Sequence, residues 1–68
     1  MRLVMSIKME TDAFKIKGKE SPALRGREVA EILRNWAQKC EEHGIDDSTL
    51  LMAIDAQGNK VGVLKVEK

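Results

Sequence analysis

Two apolar runs, Thr49 to Ile54 and Lys60 to Val66, flank the turn sequence Asp55-Ala56-Gln57-Gly58-Asn59. Apolar runs on either side of a short polar segment containing glycine predict a β-hairpin. Gln-Gly is a poor type I′ pair, so the expected connection is a type I turn over Ala56 and Gln57 with Gly58 as a positive-φ bulge residue. Asp55 then faces Asn59. Counting back from that pair, Met52 opposes Gly62 and Leu50 opposes Leu64 on one face, which also holds Ile54 and Val66. Ala53 opposes Val61 and Leu51 opposes Val63 on the other. Both faces of the hairpin are therefore apolar, whereas a sheet covered by a single helix needs only one apolar face. The second face, built from Leu51, Ala53, Val61 and Val63 with Val4 at its margin, is expected to meet a partner.

The remaining elements supply one more strand and one helix. Leu3, Met5, Ile7 and Met9 alternate with Arg2, Val4, Ser6, Lys8 and Glu10, the pattern of a strand with one buried face. Thr11 to Glu20 loses that pattern and reads as a mobile connecting loop whose Phe14 and Ile16 tuck back toward the core. Ser21-Pro22 is a helix-start signal, because serine accepts from unpaired N–H groups and proline at the first position lacks a donor that would go unused. Gly26 weakens an interior helix by about 1 kcal/mol relative to alanine, which places the start of the well-formed helix near Arg25. Val29, Ile32, Leu33, Trp36, Ala37 and Cys40 then recur at helical spacing as one apolar stripe. Gly44 ends the helix. The expected architecture is α+β, in β-α-β-β order over residues 1–68, with one amphipathic helix on one face of a three-stranded sheet. The last strand is expected in the middle, antiparallel to both neighbours.

A single domain of 68 residues buries only about 60% of the surface its unfolded chain exposes. Such a core rarely supplies more than about 3–5 kcal/mol without a disulfide, a metal or oligomerisation. Cys40 is the only cysteine and cannot form an internal disulfide, which leaves self-association as the expected reinforcement. Leu50 to Ile54, the longest apolar stretch, is far below the roughly 18 residues of a membrane span. The run Met1 to Met5 opens like a signal peptide, but Ser6 and Lys8 interrupt it before an apolar segment forms. A cytoplasmic location is expected, and the lone thiol agrees with it.

No catalytic constellation is present, and no cofactor is implied. Cys40 and His43 have the Cys-x-x-His spacing of half a zinc site, yet no other cysteine or histidine exists to complete it. Asp46-Asp47 and Glu41-Glu42 read as solvated surface acids rather than as an acid–base pair. Gly58 and Gly62 precede no helix and make no phosphate loop. Net charge is +1, but residues 1–27 carry seven basic groups against three acidic, and residues 28–68 carry five against eight. Lys15, Lys17, Lys19, Arg25 and Arg27 form the one basic cluster, beside the helix start. They support an alternative reading as a nucleic-acid-associated regulator, against which the scarcity of aromatic residues weighs.

Met9-Glu10-Thr11-Asp12-Ala13-Phe14, Glu28-Val29-Ala30-Glu31-Ile32-Leu33-Arg34 and Asp55-Ala56-Gln57-Gly58-Asn59-Lys60-Val61-Gly62 together resemble a group of very short phage and prophage proteins. The likeness spans most of the chain. It implies a small intracellular accessory protein acting on a host or phage partner, and brings no activity, cofactor or site residues. The lysine-bearing loop after Phe14 is a departure from that group. The expected function is thus a non-enzymatic interaction protein, a homodimer or a binder of another protein.

Overall fold

In the computed structural model, which describes residues 1–68, the chain runs β1 (Arg2–Ile7), a 3-10 turn (Asp12–Phe14), β2 (Lys15–Ile16), β3 (Lys19–Glu20), α1 (Pro22–His43), β4 (Leu50–Ile54) and β5 (Lys60–Glu67). The class is α+β. Strands β1, β5 and β4 form a three-stranded antiparallel sheet in that order, with the last strand central as expected. Helix α1 packs on one face of it. Strand β1 ends at Ile7, so Met9 lies beyond it and is exposed.

The helix begins at Pro22 rather than near Arg25. Its first turn is fixed twice over, since the Ser21 hydroxyl accepts from Leu24 N at 3.2 Å and Arg25 N donates to Ser21 O at 2.9 Å. A side-chain cap and a proline with preset φ offset the cost of Gly26. At the other end Gly44 has φ 73° and donates its N–H to Cys40 O at 2.8 Å, the left-handed ending that glycine accommodates without strain.

The segment Thr11 to Glu20, expected to lack regular structure, holds the 3-10 turn and a small hairpin in which Lys15 pairs with Glu20 and Ile16 with Lys19. Lys17 and Gly18 both have positive φ, 52° and 76°, as the two-residue loop of a tight hairpin requires. Lysine seldom takes that conformation, so the sequence gives little sign of it. Phe14 is completely buried, as expected, whereas Ile16 remains 54% exposed.

The β4–β5 turn forms as the sequence predicts. Gly58 has φ 86°, Gly58 N donates to Asp55 O at 3.1 Å, and Asp55 N donates to Asn59 O at 2.8 Å. Ile54 then pairs with Lys60, but the next pair is Ala53 with Gly62. Val61 is an extra residue in β5, a bulge, and every pair beyond it is displaced by one: Met52 meets Val63, Leu51 meets Leu64 and Leu50 meets Lys65. A shift of one residue moves side chains to the opposite face.

The core follows from this register. Phe14, Ile32, Trp36, Ala53, Val61 and Leu64 are buried together, with Ile7, Ala13, Val29 and Leu51 packed against them. The helix covers the β4 and β5 side better than the β1 side, and Leu3, Met5 and Leu33 stay partly exposed around an apolar groove of about 170 Å³. Trp36 anchors the helix, and its Nε1–H donates to Met52 O at 3.4 Å.

Candidate interaction surface

The helix-free face is laid out by strand alternation and pairing. One row across the sheet reads Val4, Lys65, Leu50, and the next reads Ser6, Val63, Met52. Ile54 pairs with Lys60 at one end, and Arg2 pairs with Glu67 at the other, where their side chains form a 2.6 Å ion pair. That pair is exposed and contributes little to stability.

Charge and apolarity separate across this face. Ser6, Lys8, Lys60 and Val63 border a shallow depression of about 400 Å³, so the β1 and β5 half is wet and basic. The β4 border carries only Leu50, Met52 and Ile54, which are 54%, 52% and 65% exposed. Three large apolar side chains in one line, unbroken by a polar group, form the least solvated part of the surface. Behind them, between β4 and α1, lies a second groove of about 330 Å³ whose walls include Ile32, Trp36 and Leu51, with Lys39 at its side.

Of the five residues expected on an unpartnered face, only Val4 and Val63 lie there, both half-buried. Ala53 and Val61 are 5% and 4% exposed in the core, and Leu51 packs against it. The bulge accounts for this correction: with Val61 as an extra residue, Val61, Leu64 and the Leu51–Ala53 pair all serve the helix side. The surface residues that the expected register missed are Leu50, Met52 and Ile54. Gly62 was the available signal, because a glycine inside a strand pattern often marks a bulge.

The basic cluster is only partly free. Lys15 faces Glu20 across the small hairpin, and Arg25 Nη1 lies 3.6 Å from Glu20 Oε2. Lys17, Lys19 and Arg27 are exposed. Cys40 is half-buried, His43 lies 3.7 Å from Glu42, and no three His, Cys, Asp or Glu side chains converge to hold a metal ion.

One buried carboxylate explains how the loop is held rather than any chemistry. Asp55 is 7% exposed; its Oδ1 accepts from Gln57 N and Asn59 N, both at 2.9 Å, and its Oδ2 accepts from Thr11 Oγ1 at 2.6 Å and Asn59 Nδ2 at 3.2 Å. It closes the β4–β5 turn and ties it to the residues before Phe14. The Thr11 hydroxyl, with the Asn59 and Gln57 donors, holds the carboxyl at about 2, below its ordinary 3.8. A depressed folded-state value means that the stabilisation is complete above about pH 4 and is lost as pH falls toward 2. Thermal melts of Asp55→Ala should therefore lie well below wild type at pH 7, with the gap narrowing between pH 4 and pH 2. A gap that is constant with pH would show that the carboxylate charge is immaterial.

Compared with protein-family models, with curated proteins and with solved structures, the chain matches none. No helix is long and apolar enough to cross a membrane.

Proposed function

We propose that this protein is a small cytoplasmic interaction module without enzymatic activity, which associates with itself through the β4 border of its helix-free face. The observation that carries the reading is the uninterrupted exposed line of Leu50, Met52 and Ile54, since contiguous apolar surface on a small domain usually marks an interface. Size points the same way, because a core of six buried apolar residues gains from whatever surface a second copy covers. The lone thiol of Cys40 suits a reducing compartment. Resemblance to short phage and prophage proteins supports an accessory role in which the assembled form meets a host or phage partner.

The mass in solution, followed by sedimentation or light scattering across a dilution series, tests the reading. A dimer that dissociates on dilution is expected. Met52→Lys should abolish it while leaving the fold intact, because residue 52 is half in water and lysine is well tolerated on an edge strand. A wild-type monomer at every concentration, or an undiminished Met52→Lys dimer, would refute self-association at this border.

A further inference from the structure

Resting on that self-association, we infer its geometry: two copies join edge to edge along β4, antiparallel about Met52, making one six-stranded sheet. The backbone points to this arrangement first. Thr49 O accepts from Val66 N and Asp55 N donates to Asn59 O, so Thr49, Leu51, Ala53 and Asp55 turn their polar groups toward β5. Alternation turns those of Leu50, Met52 and Ile54 outward, and β4 is the last strand of its sheet with no strand beyond it. Trp36 Nε1 occupies one side of Met52 O, and a carbonyl oxygen accepts a second bond.

Natural edge strands are blunted by charge, proline, bulges or a covering segment. The sequence Leu-Leu-Met-Ala-Ile of β4 contains neither charge nor proline, and the extra residue of the bulge lies in β5. The other free edge, β1, is bracketed by Arg2 and Lys8. β4 is thus the edge left fit for pairing.

The sequence of β4 is also complementary to itself. A two-fold axis at Met52 sets Met52 against Met52 of the second copy, Leu50 against Ile54 and Leu51 against Ala53, so every facing pair is apolar. The outward groups of Leu50, Met52 and Ile54 supply about six hydrogen bonds across the axis. Charge selects this mode over stacking of the two faces. Stacking would press Lys8, Lys60 and Lys65 of one copy toward those of the other in a drying interface, whereas edge pairing leaves them in water.

The experiment uses the full chain, with a sample mixing isotopically labelled and unlabelled copies. Leu51 and Ala53 face each other as a non-hydrogen-bonded pair, whose Cα atoms lie about 4.5 Å apart, so a contact between their Hα protons across copies is expected. Amide exchange at Leu50, Met52 and Ile54 should slow at least about tenfold from the dilute to the concentrated sample. Val63→Lys, on the middle strand, should keep the dimer. A dimer lacking the intercopy Hα contact and the added protection, or one that Val63→Lys dissociates, overturns edge pairing and leaves self-association standing. A wild-type monomer overturns both. Should Val63→Lys fail to fold, the wild-type Hα contact decides alone.

Discussion

Phe14→Ala is expected to abolish the cooperative unfolding transition altogether. Phe14 is the one large side chain with no solvent exposure, and phenylalanine-to-alanine changes at such sites cost about 3–5 kcal/mol. A domain of this length has about 3–5 kcal/mol in hand, so the loss equals the whole stability. The site cannot collapse to fill the void, because Phe14 is set by a 3-10 turn whose Phe14 N donates to Thr11 O at 3.0 Å. Thr11 is itself pinned to Asp55 at 2.6 Å. Phe14→Leu, which removes less volume, should retain a cooperative melt at lower temperature. Circular dichroism against temperature measures both. A Phe14→Ala melt within a few degrees of wild type would mean that the 10–20 segment is an ornament on a core made by α1 and the sheet alone.

The two ends of this domain differed in how plainly the sequence spoke. The helix is legible because its stripe is periodic and its caps, Ser21 and Gly44, are chemically specific; only its start differs, since the Ser21 cap and Pro22 together outweigh the cost of Gly26. The β4–β5 turn was legible for the same reason, with Gly58 alone able to take the required φ. Interaction residues were harder to read. Their identity depends on whether β5 contains one extra residue, and in the alternating apolar run Val61, Val63 the single local sign of slippage is Gly62. Tertiary packing decided it: with Val61 as an extra residue, both Val61 and Leu64 reach the helix side, where Phe14, Ile32 and Trp36 need cover. The small β2–β3 hairpin was invisible because its strands are two residues each and its turn uses a lysine where asparagine would be expected.

Gly62 makes that bulge testable. A Cβ at this position would sit 3.0 Å from Ser6 O, 3.3 Å from the Ala53 Cβ and 3.3 Å from Ile7 Cγ1. The first neighbour is backbone of the adjacent strand and the others are core side chains, so neither can withdraw freely. Gly62→Ala should cost about 1–3 kcal/mol through crowding, and Gly62→Val, with two more methyl groups, should leave little or no folded protein. The regular register that the sequence suggests keeps residue 62 on the helix side and sets it against Met52 in place of Ala53. It would also turn Ala53 and Val61, both buried here, to the open face and Leu50, Met52 and Ile54 toward the helix. Urea titration of Gly62→Ala gives the magnitude, and the cross-strand contacts of whatever remains folded give the register. A neutral Gly62→Ala would mean that β1 and β5 do not approach this closely, whereas contacts that pair Met52 with Gly62 instead of Val63 would remove the bulge that sends Val61 inward and leaves Leu50, Met52 and Ile54 as the apolar border of the open face.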